Sequence, residues 1–586
     1  MKRSVKKFIA STLLGVSAVS LLAACGSGDK KESSKTASGE IDRSETLTLD
    51  VYDELANYMG IQEGWFGKVV KDKFNIELNI IAPNVAGNGD TLYQTRTAAG
   101  DLGDIIITGA GKKYDELVEG GLLYDATDLY KEMEHASKYD LAVKHLNEKV
   151  DGIYGFPTSV SSLPPTEPSE GLDLNYGAYI RWDLYDQIGY PDINTLEDIL
   201  PVLSEMQKVN PTTDSGKQVY GFSLFSDWDG SMMGAGKQLA ALSGYDELGF
   251  VLAKADGSDY QGILDDNSEY MRAIKLYFEA NKLGLVDPES TTQNYDTLYS
   301  KFQDGQVLFS WWPWLGQTAY NTSENLEKGK GFMLAPIKDQ QIFSYGAEAY
   351  GANNAFIGIG ASVESPERVA EFLDWLYSPE GASANTAQTQ GSSGIQGLTW
   401  DMNDDGKPEL TDFGKEAFLK GDATVPEEYG GGSYSDGVSA LNVTTVLAID
   451  ENPETGYPYN YTLWETYQNS ISNPLMDSWS EKMGGSKTTL DYLEKNNQIL
   501  VAPGGSYIAP TDSSEIDTLR NQVSSTVVEY SWKMVFAKND AEYDKLKAEL
   551  QKTAKGLGYE DVLKVDMENA KEQNKAREAV VKEFKE

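Results

Sequence analysis

The stretch between residues 46 and 109 alternates strand and helix patterns, and this order limits the possible folds more than any other feature of the chain. Two of its segments alternate apolar and polar side chains, as half-buried strands do, and the last is a continuous apolar run, which is typical of a buried parallel strand. A strand–helix–strand–helix–strand order predicts an α/β fold with a parallel sheet. The five segments are residues 46–52, 61–74, 76–81, 91–99 and 104–109.

The carboxyl ends of these predicted strands are candidate ligand positions, because α/β sheets bind ligands at that edge. The rule selects residues 52–58 and 108–112. Asn57 and Tyr58 are the ligand-binding candidates among them. A helix cap and a packing tyrosine explain the same two residues equally well.

Residues 1–24 have the form of a signal peptide, with basic residues followed by an apolar run that is short for a bilayer span. The run ends in Leu22-Ala-Ala-Cys25, which resembles the lipobox of bacterial lipoprotein precursors, where the thiol is acylated. Cys25 is the only cysteine in 586 residues. The alternative is an ordinary secretory cleavage site beside a chance cysteine. Residues 25–44 are then the lipidated cysteine and a polar, flexible tether.

Length and charge narrow the class of protein further. About 540 residues follow the tether, more than one hydrophobic core usually holds, so at least two lobes are expected. The chain has 91 acidic and 50 basic residues and a formal net charge of −41, which argues against a nucleic acid partner. A neutral solute or a protein is the expected partner.

Several longer segments follow one another in a defined order, among them DIIITGAGKKYDELVEGGLLYDATDLY, AYIRWDLYDQIGYPDINTLED, GLVDPESTTQNYDTLYSKFQDGQVLFSWWPW and ESPERVAEFLDWLYSPEG. In this order and behind a lipobox, they resemble the extracellular solute-binding proteins of bacterial ABC sugar importers, specifically the long lipoprotein branch related to oligosaccharide binders. The resemblance implies a type II periplasmic-binding-protein-like fold with two discontinuous lobes, a hinge and a helical C-terminal region. The implied parts are an N-lobe at 45–158 and 316–385 and a C-lobe at 159–315 and 386–586.

The resemblance also implies a function. The protein would capture a carbohydrate in the cleft between its lobes and deliver it to the transmembrane subunits of an ABC permease. It would be a monomer and no enzyme, held by its lipid at the outer face of a cell membrane of the Gram-positive type. The alternative is a surface-anchored glycoside hydrolase, which needs a pair of carboxyl groups that 91 acidic residues can easily supply.

Sugar sites combine flat aromatic rings with planar polar groups, so aromatic residues in loops are the informative ones. Trp228 and Asp229 stand in the glycine-flanked loop SDWDGSMMG. Trp312 and Trp314 belong to a tryptophan-rich run in which one ring is expected in the core and another in the cleft. Further candidates are Arg181, Tyr350 and Trp464, although Arg181 is equally typical of a structural ion pair.

Residues 401–412 fit the spacing of an EF-hand calcium loop, and no other cofactor is required. A β-hairpin closed by an Asp-Gly turn explains the same residues. The calcium-type loop common in this branch corresponds to residues 210–217, which have lost most of the carboxylate and amide ligands. The candidate metal ligands in the EF-hand-like loop are Asp401, Asn403, Asp405, Lys407 and Asp412.

Overall fold

The computed structural model describes residues 41–86, 89–386, 391–420, 423–505, 507 and 509–585. The proposed signal peptide and Cys25 therefore lie outside the described residues. Among the helices of the described residues, none has the length and apolar character needed to cross a membrane.

The strands and helices alternate over most of the described chain, and a run of long helices closes it. The strands are β1 Leu47–Asp53, β2 Gly60–Ile61, β3 Ile76–Ile81, β4 Ile105–Thr108, β5 Phe156–Thr158, β6 Tyr179–Arg181, β7 Tyr245–Leu248, β8 Val251–Lys254, β9 Tyr260–Gly262, β10 Phe309–Ser310, β11 Phe332–Leu334, β12 Ile342–Tyr345, β13 Ala352–Ile359, β14 Trp400–Met402, β15 Pro408–Leu410, β16 Glu451–Asn452, β17 Tyr457–Pro458 and β18 Ile499–Ala502. The helices are α1 Gly64–Phe74, α2 Pro83–Ala86, α3 Gly89–Ala99, α4 Lys112–Glu119, α5 Thr127–Tyr130, α6 Asp140–Leu146, α7 Trp182–Gln187, α8 Ile199–Val209, α9 Gly234–Ala241, α10 Glu269–Lys282, α11 Tyr295–Gln303, α12 Pro313–Tyr320, α13 Ser323–Glu327, α14 Pro366–Leu376, α15 Pro379–Asn385, α16 Asp412–Leu419, α17 Glu465–Ser470, α18 Pro474–Lys482, α19 Thr489–Lys495, α20 Ser514–Val535, α21 Asp540–Gly556 and α22 Tyr559–Glu583.

The first sheet has the strand order β2-β3-β1-β4-β13-β5. Strand β1 runs parallel to β3 and to β4, while β13 is antiparallel to β4 and β5. Every residue of β4 is buried, as its continuous apolar sequence requires for a strand covered on both faces. These features confirm the predicted α/β fold, and they bring the carboxyl ends of β1 and β4 to one edge.

A second group of elements surrounds the antiparallel sheets β10-β6-β11 and β7-β8-β9. The sequence pattern predicts a largely helical region from Tyr179 to Leu283 apart from two loops, and for residues 245–262, which form β7–β9, this expectation is wrong. Gly249, with φ of 61°, opens a tight turn that pairs β7 with β8, because a two-residue hairpin turn needs a residue that tolerates positive φ.

The buried side chains form two large cores, each built from separate stretches of sequence. The first draws on residues 49–160 and 357–459, and the second on residues 174–343 and 475–562. The chain thus passes between the cores three times. Residues 386–586 are predicted to belong to the second lobe, yet side chains from residues 417–459 pack in the first core, where Tyr434 stacks on Trp65 of α1 and the Thr445 hydroxyl donates to the Leu376 carbonyl of α14.

The last helix, α22, contacts both cores. Near its start, Val562 belongs to the second core, and Asp566 accepts a hydrogen bond from the Phe250 amide at 2.7 Å. Near its end, Val581 and Phe584 pack with Leu141 of α6, which lies against the first core. The C-terminal helix is therefore a fourth connection between the cores, made by packing and not by the chain crossing over.

Candidate functional site

Five aromatic rings on the second core form one cluster, which we call the aromatic platform: Phe225, Trp228, Tyr295, Trp312 and Trp314. The rings of Trp228 and Tyr295 stack at 4.8 Å with an interplanar angle of 22°, and those of Trp312 and Trp314 stack at 4.5 Å with 19°. The Trp228 and Trp314 centroids lie 6.0 Å apart. These two side chains remain 49% and 37% exposed, so the platform presents two adjacent indole rings to solvent.

Two aspartates hold the loop that carries Trp228. Asp227 accepts a hydrogen bond from the Tyr295 amide at 2.9 Å, which attaches the loop to the start of α11 and explains the stacking of the two rings. Asp229 accepts from the Gly234 amide at 2.7 Å and from the Trp532 indole N–H at 2.7 Å. Each carboxylate oxygen of Asp229 accepts one of these hydrogen bonds, so the side chain holds the loop in place, and its ligand role stays a prediction.

The tryptophan-rich run divides its rings between core and surface as expected. Trp311 is buried and donates its indole N–H to the Tyr277 hydroxyl at 2.7 Å. Trp312 is only 4% exposed and is the buried tryptophan of the platform, beneath the exposed rings of Trp228 and Trp314. Pro313 begins α12, where its missing N–H costs nothing, and Trp314 on the first turn donates to Asn175 Oδ1 at 3.1 Å.

A cavity of about 340 Å³ opens beside Trp314. Its lining combines residues from the first segment of the second core, such as Asn175, with Ile449 and Asn460 from the segment that leaves the first core. The platform therefore adjoins a space bordered by both parts of the molecule, where hydroxyl groups of a ligand would meet amide side chains.

The carboxyl edge of the first sheet carries a charged cluster, which we call the strand-end cluster: Glu54, Thr108 and Lys113. The Lys113 ammonium lies 2.7 Å from both Glu54 oxygens, and the Thr108 hydroxyl donates to the same carboxylate. The Lys113 ammonium also lies 5.0 Å from the centre of the Tyr93 ring. Glu54 follows β1, Thr108 is the last residue of β4 and Lys113 lies shortly after it, where the α/β rule places ligands.

Asp53 is the last residue of β1 and lies at the same edge of the sheet, next to Glu54. It is fully buried, and its Oδ1 accepts from the Leu55 and Ala56 amides at 2.8 and 3.1 Å. Its Oδ2 has no hydrogen-bond partner among the described residues. Burial raises the pKa of the Asp53 carboxyl to about 8, because the charged form loses its hydration.

Asn57 and Tyr58 are exposed and line a cavity of about 460 Å³ together with Gln62 and Asn442. The Tyr58 hydroxyl donates to the Ile61 carbonyl at 2.7 Å, so the ring is fixed at the cavity rim. The structure thus places both predicted residues on an accessible, concave surface of the first core.

Arg181 does not reach such a surface. It is 3% exposed, its guanidinium binds both oxygens of Asp183 at 2.9 and 2.7 Å, and it lies 4.2 Å from the centre of the Tyr320 ring. The structure shows the ion pair that the sequence also allows, and a ligand role for Arg181 stays a prediction.

Tyr350 and Trp464 are also structural. Tyr350 stacks on His145 at 3.8 Å and donates to Glu583 of α22 at 2.6 Å. Trp464 is 2% exposed, packs with Trp400 and donates to a backbone carbonyl. The Tyr350 hydroxyl and the Trp464 indole N–H each have a protein partner in this arrangement, and a ligand role for either residue stays a prediction.

The EF-hand-like stretch forms the β-hairpin that the sequence also allows, with β14 paired to β15. Asn403 Oδ1 accepts from the Asp405 and Lys407 amides at 3.0 Å, and Gly406 takes a φ of 73° in the turn. The Lys407 ammonium binds Glu465 at 2.6 Å, while Asp412 begins α16. The candidate ligands do not converge, and no group of three or more metal-ligating side chains is found within the described ranges.

The second loop that corresponds to a calcium site in relatives is held by hydrogen bonds. Asp304 accepts from the Ser215 hydroxyl at 2.8 Å and from Thr213 at 3.4 Å, and Thr213 closes the turn by donating its amide to Lys217. The only carboxylate of the loop, Asp214, is 99% exposed and faces Lys330 at 3.6 Å. These residues do not fit a calcium ion.

Sequence reasoning missed Tyr295, Asn175 and the strand-end cluster. Tyr295 is one of 34 tyrosines, and its segment has the pattern of an ordinary capped helix. Only the hydrogen bond from its amide to Asp227 of the Trp228 loop shows that it belongs to the platform. For Glu54 and Lys113 the signal was present, because both adjoin the strand ends that the α/β rule selects.

Comparison with known proteins now defines the class. The family model for bacterial extracellular solute-binding proteins matches residues 61–383, which is more than half of the chain, and the protein belongs to this family. Its members bind solutes outside the cytoplasm, so the protein is an extracytoplasmic binding protein. No curated protein matches the chain.

Solved structures show the same fold at low sequence identity. The ABC-transporter substrate-binding protein FusA of S. pneumoniae, solved with kestose, has a TM-score of 0.54 at 15% identity and covers 90% of this chain and 99% of its own. A solute-binding protein from Bifidobacterium longum infantis, described as binding human milk oligosaccharides, gives 0.54 at 14%, with 91% and 99% covered. Another from the same subspecies gives 0.54 at 14%, with 92% and 100% covered. These similarities establish the two-lobe binding-protein fold.

Proposed function

We propose that the protein captures an oligosaccharide and delivers it to the permease of an ABC importer. The observation that carries this proposal is the aromatic platform, in which two exposed indole rings lie 6.0 Å apart over a layer of buried rings. Pyranose rings pack their apolar faces on such surfaces, and neighbouring rings suit consecutive sugar units. Neighbours of the same fold that were solved with kestose or described as oligosaccharide binders support this assignment.

The polar side of the ligand would be recognised by planar groups around the platform. Asn175 and Asn460 line the adjoining cavity, and Glu54 with Lys113 lies at the carboxyl edge of the first sheet. Closure of the two lobes around the sugar, with the three inter-core crossings as hinges, would bring these groups together. The domain limits proposed from sequence shift accordingly, with residues 417–459 moving with the first core.

The lipobox-like sequence supports a lipid anchor to the membrane. A thiol-linked diacyl group at Cys25 provides two acyl chains, which suffice for stable anchoring, and residues 26–44 would set the reach of the binding lobes. Mass spectrometry of the membrane fraction tests this: a lipid-modified Cys25 is expected, and a soluble Cys25→Ala variant confirms that the thiol carries the anchor. An unmodified Cys25 in a released protein contradicts it.

Binding is tested by titrating the purified protein with a panel of neutral oligosaccharides while following tryptophan fluorescence and thermal stability. Saturable stabilisation that weakens strongly in Trp228→Ala, and stays unchanged in a matched Leu283→Ala variant, supports the proposal. Leu283 is a suitable control because it is 52% exposed, apolar and outside the platform. Release of reducing ends during the titration, or unchanged affinity in Trp228→Ala, contradicts it.

A further inference from the structure

A second cavity, of about 450 Å³, lies between α7, the ends of α18 and α19, and residues 336–338. It shares no lining residue with the aromatic platform or with the cavity beside Trp314. Three tyrosines and three lysines contribute to its lining, and we call it the lysine–tyrosine cavity. They are Tyr185, Tyr190, Tyr492, Lys338, Lys482 and Lys495.

The aromatic side of this cavity is fixed by its surroundings. The Tyr190 ring packs on Trp182 and Tyr185, both at 5.2 Å, and its hydroxyl lies 3.0 Å from the Ser478 hydroxyl. Its backbone has a φ of 55°, which is uncommon for a bulky residue, and its amide donates to the Tyr185 carbonyl at 3.1 Å. A strained residue persists only where its neighbours hold it, so the ring keeps a defined orientation.

The three lysines line one side of the cavity, in a chain whose net charge is −41. The Lys482 ammonium lies 4.6 Å from the centre of the Tyr190 ring and makes no ion pair with any residue that the structure describes. Lys338 pairs with Asp192 at 3.2 Å, and Lys495 with Asp491 at 2.7 Å. Lys338 and Lys495 are therefore each neutralised by a carboxylate, and within the described residues Lys482 is the one lysine of the lining that keeps an unpaired ammonium group.

We propose that the lysine–tyrosine cavity is a second ligand site, specific for an anionic carbohydrate. The tyrosine rings offer a surface for the apolar face of a sugar, and Lys482 offers ammonium donors to an oxyanion on that sugar. A neutral sugar would leave the charge of Lys482 unused, and a simple inorganic anion would leave the rings unused. The proposal does not depend on the oligosaccharide function, because the two sites have no residue in common.

The oxyanion can be a carboxylate, as in a uronate, or a phosphate, as in a sugar phosphate. Calorimetric titration of the whole protein with trigalacturonate and with glucose 6-phosphate distinguishes the two, and maltotriose serves as the neutral probe. We expect at least one anionic probe to bind with an affinity that falls as salt rises, since exposed charges are screened. Binding of neither anionic probe overturns the proposal.

Lys482→Gln is the decisive variant, because this residue has no ion pair to lose and the fold should remain intact. It should weaken the anionic probe at least about fivefold. Lys208→Gln is the matched control, an exposed lysine of the same core that pairs only with Glu205 and should bind as the wild type does. Equal affinity of Lys482→Gln and wild type overturns the site. Trp228→Ala should leave anion binding unchanged, which separates this proposal from the oligosaccharide one.

Discussion

The aromatic platform and the strand-end cluster are candidates for the same ligand, yet they are built in opposite ways. The platform consists of rings stacked on rings, with Trp312 buried beneath the exposed Trp228 and Trp314. The strand-end cluster consists of charges held by one another, at side chains that follow two parallel strands. The difference suggests a division of roles, in which apolar packing supplies affinity and the polar edge supplies selection among hydroxyl patterns.

The largest effect should come from emptying the platform. Trp228→Ala combined with Trp314→Ala removes both exposed rings and should weaken oligosaccharide binding by about 100-fold or more, since central aromatic residues often contribute ~2 kcal/mol or more each. Calorimetry measures the affinity, and circular dichroism checks that Trp312 and the core remain folded. A loss below about threefold would mean that the sugar lies elsewhere.

Asp229 tests whether the platform depends on its support. Asp229→Ala removes the acceptor for the Gly234 amide and the Trp532 indole, and should lower the free energy of unfolding by about 1–2 kcal/mol. Asp229→Asn, which keeps an acceptor, should lose less. Chemical denaturation followed by tryptophan fluorescence measures both, and equal stability of all three proteins would show that the loop is held by ring packing alone.

The pH dependence of stability tests the Asp53 carboxyl at the edge of the first sheet. Its folded-state pKa, about 8, exceeds the ordinary value of 3.8, so the folded protein binds a proton that the unfolded chain has released. Its contribution to stability is therefore complete below about pH 4 and declines as pH rises towards about 8. Asp53→Asn should flatten this decline in denaturation curves recorded between pH 5 and pH 8. An unchanged pH profile would mean that Asp53 is ionised in the fold.

Lys113 should give the smallest effect on stability. Its side chain is 39% exposed, so Lys113→Gln should change the free energy of unfolding by less than about 1 kcal/mol. Its effect on binding should depend on the sugar, because the freed Glu54 carboxylate can accept different hydroxyl groups. A panel of isomeric trisaccharides compares the ranking with wild type, and a uniform loss for all of them would contradict a selective role.

The parts of the fold that follow from local periodicity were predictable. Strands β1, β3 and β4 and the intervening helices follow from their apolar patterns, and the hairpin at β14–β15 was an alternative that its Asp-Gly turn indicated. The short strands β7–β9 were missed, because the two-residue turn at Gly249 determines them more than any alternation of side chains.

The site was predictable only in part, since its formation depends on contacts between distant segments. Trp228 and Trp314 stood out as aromatic residues in loops, but their meeting with Tyr295 depends on Asp227 and on the start of α11. Arg181 shows why such contacts are hard to foresee: its place in a family segment predicts recognition, whereas the structure buries it beside Asp183, to which its guanidinium donates two hydrogen bonds.

Helix α22 starts on the second core and ends against Leu141 and Tyr350 beside the first. Any hinge motion must stretch, shift or break the contact at the end of α22, so the position of this helix end depends on the separation of the lobes. A spectroscopic probe attached beyond Phe584 would report opening and closing without a label in the sugar cleft. Removal of the last turn would free the lobes to sample wider separations at the same ligand concentration.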